Sequence, residues 1–549
     1  MPRDAENSSS WAMPSQSPLA IAATAAREVD FTNHSFADES RISGLDHICH
    51  KLVSGDAAES VVASQQFDIR IADPGKAQPQ QCMALFRFGL RDFYNIDFSG
   101  KDLNGTHRFY NGESNMRAYL ACFNTVCGAE YPVTEVIYNC PSCAGLLEVR
   151  YDGAATDPWT LKQIWRERRM SNHPHDQSGV WRYREMFPFL DDERHVMTLR
   201  EGNTPILDAR LASSYSGVDR LRFKHQGFNP TGSFKDNGMT AGASQAVRLG
   251  MKRVACVSTG NTSASMAAYA AMAGLEPIIL IPNGNIAFGK LGQALDYGAK
   301  TLQVDANFDQ ILALVRVLSE KLGIYLLNSV NPFRIEGQKS IVIEMMDQLD
   351  WEVPDWIVVP GGNLGNISAF GKGARELYQQ GFIAKMPRFA VIQAEGASPF
   401  YEFMKAPHEG GFVSNTHPET LATAIKIGDP ISWPKAWQTV GEDGAVESVT
   451  EQEIADAKAV IGRCGIGCEP ASATTLAGIK KLRAAGKIRS GENIIAVLTG
   501  NVLKDPDYIY RYHTNQLQDP QGKPIAGTFA NPPIVVPNDI GAIARLLGE

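Results

Sequence analysis

Three short segments hold residues whose types and spacing could do chemistry. In Asn229-Pro-Thr-Gly-Ser-Phe-Lys235-Asp236, a turn dipeptide and a run of small residues end in a lysine beside an aromatic, where a helix is expected to start. A lysine held there could form a Schiff base, although a lone lysine is ordinarily a solvated surface charge. Ser258-Thr-Gly-Asn-Thr-Ser263 follows an apolar run and leads into an alanine-rich helix. Its free backbone N–H groups and hydroxyls suit a carboxylate or phosphate, whereas simple capping would need one such side chain. Gly361-Gly-Asn-Leu-Gly-Asn366 also follows an apolar run. Its glycines let the backbone approach an anion and point successive N–H groups at it, so a phosphate is the natural guest. The Gly-rich turn alone is weak evidence, since left-handed turns also need glycine; two such junctions together with an embedded lysine are much stronger. Thr499, at the end of Ile494 to Leu498, could turn a hydroxyl toward the same ligand.

Four of the nine cysteines gather as Cys122, Cys127, Cys140 and Cys143. Four thiolates could close around one structural Zn²⁺, with Gly128 and Pro141-Ser-Cys-Ala-Gly145 supplying turns. The first pair is separated by four residues rather than the common two, which leaves unmetallated thiols as an equal alternative. Cys464 and Cys468 read as small buried side chains. His47, Cys49 and His50 read as chance spacing in a polar arm.

The elements that must position these residues are apolar β-rich runs alternating with helical stretches: Arg253 to Val257, Pro277 to Ile281, Trp356 to Val359, Phe389 to Gln393 and Ile494 to Leu498. Such alternation predicts α/β layers with parallel strands, whose ligands sit at the strands' carboxyl ends. No internal repeat is visible. Residues 1–115 form an N-terminal extension, expected to be partly disordered because its first 80 or so residues hold no sustained period. Residues 116–155 form the cysteine-rich knuckle, and 156–549 the catalytic region, with a smaller α/β domain at about 236–340.

Composition bounds the function. The chain has 549 residues, 44% hydrophobic and 20% charged, which describes a soluble globular protein of two or more domains. A net charge of −8 argues against nucleic acid or an anionic membrane as partner. The uncharged stretch 254 to 275 is broken by Ser258, Thr259, Asn261, Thr262 and Ser263, so it reads as the start of a buried helix rather than a membrane span. No basic cluster precedes an apolar run near residue 1, and Asp4, Glu6, Glu28 and Asp30 disfavour a transit peptide, so a cytoplasmic location is expected. An odd number of thinly spread cysteines fits reduced thiols.

Taken in order along the chain, the motifs resemble those of the threonine synthases, pyridoxal-phosphate enzymes of the tryptophan-synthase-β type. The matching segments are Trp181-Arg-Tyr, Thr198-Leu-Arg-Glu-Gly-Asn-Thr-Pro205, Asn229 to Asp236, Ser258 to Asn261, Asn328 to Lys339, Gly362 to Asn366, Ile425 to Pro430, Glu469-Pro-Ala-Ser472 and Leu498 to Asp505. They cover most of residues 180 to 510.

The resemblance implies two doubly wound α/β domains with the cofactor between them. It also implies a lyase of threonine biosynthesis that converts O-phospho-L-homoserine and water to L-threonine and phosphate. Lys235 would be the Schiff-base lysine and Asn261 the contact to the cofactor 3′-oxygen. Gly362, Asn363, Gly365 and Asn366 would cradle the cofactor phosphate, and Thr499 would meet the pyridine nitrogen. Ser258 and Thr259 would hold the substrate carboxylate, and Thr262, Asn328 and Arg334 the substrate phosphate. An arginine suits that last task because its planar fork makes two charge-assisted bonds.

Three departures from the family pattern, Asn237, Asn501 and Gln226, bear on substrate choice more than on the cofactor. An ammonia-lyase or β-replacement enzyme would use Lys235 equally well but needs no second phosphate site. A cofactor-binding regulatory pseudoenzyme is the reading from another class. The expected partner is a small-molecule amino-acid substrate, and the sequence leaves the oligomeric state open, with a homodimer among the candidates.

Overall fold

In the computed structural model, residues 116–548 are described apart from 154–155, 284–287, 307 and 407–410. The expectations about the N-terminal arm and about His47, Cys49 and His50 lie outside the described residues.

Strands β1 (Arg117–Cys122), β2 (Glu130–Pro132) and β3 (Leu147–Asp152) make a small antiparallel sheet in the order β2-β1-β3. Strands β4 (Ile206–Asp208) and β5 (Arg220–His225) begin a larger sheet. Before that sheet is completed, the chain forms a separate parallel sheet from β6 (Arg253–Val257), β7 (Glu276–Pro282), β8 (Lys300–Val304) and β9 (Ile324–Leu326), in the order β8-β7-β6-β9. It then returns through β10 (Trp356–Pro360), β11 (Arg388–Ala394), β12 (Ala445–Val449) and β13 (Asn493–Leu498). The larger sheet runs β12-β11-β10-β13-β5-β4, parallel except for β4 against β5.

These strands are parallel and central because they can be buried on both faces. All of β10 and β13 is buried, and alternate residues feed different cores. Ile357, Val359, Ile495 and Val497 pack on one side of the sheet, while Trp356, Val358, Ile494 and Ala496 pack on the other. The smaller sheet repeats this, with Val254 and Cys256 on one side and Ala255 and Val257 on the other. Near-continuous apolar runs therefore mark these strands in the sequence. Among the described residues no helix is long and apolar enough to cross a membrane.

Six helices set the site: α1 (Lys235–Arg248), α2 (Asn261–Met272), α3 (Pro332–Gln338), α4 (Ser340–Gln348), α5 (Gly365–Gln379) and, later in the chain, α7 (Pro470–Ala484), which follows α6 (Glu451–Arg463).

Candidate active site

Adjacent parallel strands end on the same edge of their sheet, so topology gathers the segments that follow them. β10 pairs with β13, which puts the Gly361–Asn366 loop beside Thr499. β6 pairs with β9, which puts Ser258 beside Asn328. The loop before Lys235 is stitched to the end of β13: Ser233 bridges to Gly500, the Phe234 N–H donates to Thr499 O at 3.0 Å, and the Asn501 N–H donates to Gly232 O at 2.9 Å. Asp236 fastens the same loop to α2, accepting from the Thr231 N–H at 2.7 Å, the Thr231 hydroxyl at 2.6 Å and the Ser265 hydroxyl at 2.5 Å.

Lys235 opens α1 with its amine 4.2 Å from the centre of the Phe234 ring. Burial and then the Arg334 guanidinium bring this amine down to about 7, against the opposing pull of Glu469. A large neutral fraction near neutral pH is what a nucleophilic amine needs.

Arg334 reaches this neighbourhood because α3 crosses α1 at close range. A Cβ on Gly337 would lie 2.2 Å from Asn237 O and 3.0 Å from Gly238 Cα, and one on Gly238 would lie 2.6 Å from Arg334 O. α3 runs through Lys339 into α4 without a turn, and Gly337 serves the helix contact. Glu336, Lys339, Lys372 and Glu376 form a buried ion network that anchors α3 to α5, and the Tyr151 hydroxyl of β3 adds a hydrogen bond to Glu336 at 2.8 Å. The Arg334 side chain is buried. It donates to Leu327 O at 2.9 Å, its Nε has no partner, and among the described residues no carboxylate pairs with it. Burial lowers it to about 10. A buried guanidinium with donor capacity to spare is stabilised by an incoming anion.

The loop after β10 offers a second anion seat. Leu364 has φ 62°, in the left-handed region, and α5 starts without a side-chain cap. A Cβ on Gly362 would press on Ile425 Cα at 3.2 Å, so the backbone there has to be bare. Asn366 is buried, and both polar atoms of its amide lack a partner among the described residues. A phosphate held by the loop N–H groups and this amide would satisfy them. Asn363 braces the loop instead, donating to the Ser329 hydroxyl at 2.5 Å and accepting from the Ile431 N–H at 2.7 Å. These orphaned groups, with Lys235, fit pyridoxal phosphate.

Asn261 and Thr499 meet through a residue that sequence reasoning left out of the site. Glu469, buried at the start of α7, accepts from Asn261 Nδ2 and from the Thr499 hydroxyl, each at 3.0 Å. The signal available was an acid directly before a helix-initiating proline, inside a motif already singled out. Ser472 adds a hydroxyl contact to Thr499 at 3.0 Å. At the start of α2 the Ser258 hydroxyl accepts from the Gly260 N–H at 3.2 Å, and no side chain caps the helix, so its first N–H groups, near Thr259 and Thr262, stay open to a carboxylate. Asn328 is committed elsewhere: its amide accepts from the Val257 N–H at 3.1 Å and donates to Val257 O at 3.3 Å, which clamps β6 to the segment after β9.

The three departures are taken up by the scaffold. Asn237 donates to the Ser340 hydroxyl at 3.1 Å, Asn501 to Gly227 O at 3.1 Å, and Gln226 to the Thr204 hydroxyl at 2.7 Å.

The four cysteines converge, with sulfurs within 4.8 Å of one another; Cys122 and Cys143 are 3.4 Å apart, and Cys127 and Cys140 are 3.7 Å apart. The Cys127 N–H donates to Asn124 O at 3.0 Å and the Ala144 N–H to Cys140 O at 2.8 Å, the two turns that aim the sulfurs inward. The Tyr131 hydroxyl, 3.3 Å away, lowers the Cys140 thiol to about 6, whereas burial raises Cys122 to about 12.

A fold of two parallel sheets with a buried low-pKa lysine and a glycine-rich anion loop defines a class. The model of the pyridoxal-phosphate dependent enzymes matches residues 197–500, and the chain belongs to that family. Within it, the chain is 46% identical over 388 residues to a threonine synthase of Methanocaldococcus jannaschii, covering 70% of this chain and 93% of that protein. It is 45% identical over 393 residues to one of Methanosarcina acetivorans, covering 71% and 93%. The solved threonine synthase of Escherichia coli shares the fold, with a TM-score of 0.55 at 17% identity, over 78% of this chain and 99% of that one.

Proposed function

We propose that the chain is a threonine synthase, converting O-phospho-L-homoserine and water to L-threonine and phosphate. The observation that carries this reading is the pair of separate anion seats, the Asn366 loop for the cofactor and Arg334 for a substrate phosphate. An amino-acid ammonia-lyase has no use for the second.

Pyridoxal phosphate, when bound, supplies an electron sink for the carbanion left by loss of the Cα proton. Gly362, Gly365 and Asn366 would hold its phosphate, Lys235 its carbonyl carbon, Asn261 its 3′-oxygen and Thr499 its ring nitrogen. Asn363 would act by bracing the loop. The Lys235 amine, about half neutral at pH 7, would take the Cα proton and then the Cβ proton, and would return protons to Cγ and Cα. Ser258, Thr259 and the first N–H groups of α2 orient the substrate carboxylate. Arg334, with Thr262, holds the γ-phosphate through its departure, and Asn328 positions the strand ends around them. Loss of the Cβ proton would expel phosphate from Cγ, Cγ would gain a proton to become the methyl group, and water would add its hydroxyl to Cβ as a proton returns to Cα.

The Cys122, Cys127, Cys140 and Cys143 cluster is read as one structural zinc site. Sulfurs 3.4 and 3.7 Å apart approach the ~3.8 Å edge of a tetrahedron built on 2.3 Å Zn–S bonds. A closed four-thiolate site has no open position, so the metal takes no part in the reaction.

Incubating the protein with O-phosphohomoserine and assaying phosphate and threonine together tests the assignment. Equimolar appearance of both is expected. Phosphate accompanied by a keto acid and ammonia would assign an elimination enzyme instead, and turnover of serine or threonine but not of phosphohomoserine would remove the substrate.

A further inference from the structure

Behind the candidate active site lies a cavity of about 580 Å³ between α6 and a C-terminal helix, α8 (Pro506–His513). Its walls carry three basic side chains, Lys458, Arg463 and His513, and the phenol of Tyr508; no carboxylate is among the residues lining it. Lys458 is 7% exposed and makes no hydrogen bond or ion pair with the described residues, its amine lying 5.9 Å from the centre of the Tyr508 ring. Tyr508 is also 7% exposed, and its hydroxyl has no partner among the described residues. The Lys458 amine lines the cavity without a protein acceptor and the Tyr508 hydroxyl is buried without one, so both are stabilised by an acceptor placed there.

The neighbouring groups reinforce this polarity. His513 Nδ1 accepts from the Asn531 N–H at 3.0 Å, which makes Nε2 the protonated nitrogen and a donor. The Arg463 guanidinium gives one bond to Phe529 O at 3.1 Å and keeps its other donors. Asp456 is engaged with the Tyr512 hydroxyl at 2.9 Å and the Gln452 amide at 3.0 Å. Asp505 acts on Lys458 from outside the lining. Burial lowers Lys458, and burial together with Lys458 and Arg463 lowers His513; Glu451, Asp505 and Asp456 act on Tyr508 from outside the lining, so the lining itself supplies cationic groups and no carboxylate.

The floor of the cavity includes Gly467 and Val502. These two touch, since a Cβ on Gly467 would lie 3.1 Å from Val502 Cβ. Gly467 lies two residues before Glu469 and Val502 three after Thr499, so an occupant would rest on both segments that enter the active site.

We propose that this cavity binds a small anionic metabolite through a carboxylate or phosphate group, with Lys458 as the charge at its centre. The test uses the full chain loaded with pyridoxal phosphate and follows amide hydrogen exchange with inorganic phosphate or with succinate, at constant ionic strength set by chloride. One of the two probes slows exchange in 455–467 and 502–513 by about tenfold when present at ten times its Kd, and which probe does so identifies the group recognised. Lys458→Met loses this protection and Lys458→Arg keeps it. Protection of the start of α5 by the cofactor's own phosphate persists in all three proteins, with or without a probe, and reports that the variants are folded. Absence of protection in 455–467 and 502–513 with both probes in the unmodified protein overturns the proposal, as does equal protection in Lys458→Met.

Discussion

Glu469 accepts the Thr499 hydroxyl at 3.0 Å on one carboxylate oxygen and the Asn261 amide at 3.0 Å on the other. One acid thereby joins the end of β13 in the larger sheet to the start of α2 in the smaller one. The two side chains it joins are those assigned to opposite edges of the cofactor ring, and the same charge pulls the Lys235 amine upward. Glu469 is therefore placed to couple the geometry of the ring site to the protonation of the lysine.

Glu469→Gln keeps the shape and removes the charge. A glutamine has one acceptor oxygen where two donors now bond, so losing a charge-assisted bond is expected to cost roughly 1.5–3 kcal/mol. Cofactor affinity should fall by about ten- to a hundredfold. With the upward pull gone, the Lys235 amine drops below 7, and the pH at which half the cofactor is taken up moves to lower values. Titrating the cofactor-free protein with pyridoxal phosphate across a pH series, by visible absorbance, measures both. An unchanged midpoint would mean that the carboxylate does not reach the lysine.

Lys235→Ala should abolish turnover and the visible absorbance of the bound cofactor. The same amine has a stability signature in the cofactor-free protein. Its folded value, about 7, lies below the ordinary 10.5, so between those values the unfolded chain binds more protons. Stability should rise with pH across that window, with the penalty fully present below about 7. Lys235→Met should raise the melting temperature at pH 7 and below, and the difference should fade toward pH 10. A pH-independent difference would reject the buried neutral lysine.

The β-runs were legible because each buried strand is a continuous apolar stretch, and Arg253 to Val257 is β6 residue for residue. The segments holding Asn261, Thr499 and the glycine loop stood out because each follows such a strand, whereas Lys235 stood out by the turn dipeptide and small-residue run before it; their ligand roles are proposals. Glu469 was not legible, because its place depends on meeting Asn261 at the start of α2, 208 residues earlier in the chain. The role of Gly337 was not legible either, because a glycine at a helix crossing and one at a turn look alike until the partner helix is known. Asn328 and Asn363 carry the right chemistry for a ligand, yet backbone groups and Ser329 take it up first.

Gly337→Ala tests the crossing that brings Arg334 toward Lys235. A methyl 2.2 Å from a backbone oxygen forces α1 and α3 apart, an overpacking cost of about 1–3 kcal/mol. A lower melting temperature and reduced turnover are expected together. Gly462→Ala, in α6 with nothing within 4 Å of the new methyl, is the control and should gain about 0.5–1 kcal/mol from helix propensity. Opposite signs for the two are required; a neutral Gly337→Ala would mean that the helices part at little cost.

Elemental analysis of protein purified without chelator should give one zinc per chain. Cys140→Ser should lose it, and stripping the metal should lower the melting temperature of the unmodified protein while leaving that of Cys140→Ser unchanged. Because β3 reaches α3 through the Tyr151 to Glu336 hydrogen bond, turnover should fall after stripping and return when zinc is restored. Metal-free protein with full stability would leave four reduced thiols as the description of the cluster.

Arg334→Ala bears most directly on the substrate. The guanidinium is buried, holds one backbone carbonyl and has an unpartnered Nε, so its remaining donors have no structural task. Removing a charge-assisted bond to phosphate should lower kcat/KM for O-phosphohomoserine by about ten- to a hundredfold, from roughly 1.5–3 kcal/mol. Cofactor binding should change little, because the cofactor phosphate is assigned to the Gly362 to Asn366 loop. Arg334 also pushes the Lys235 amine down, so the variant's acid-side pH profile should shift upward, the reverse of the Glu469→Gln shift. Comparing the variant on phosphohomoserine and on serine separates the roles. A loss confined to the phosphorylated substrate is expected; equal losses on both, or a loss of cofactor absorbance, would make Arg334 part of the scaffold and would withdraw the phosphate assignment.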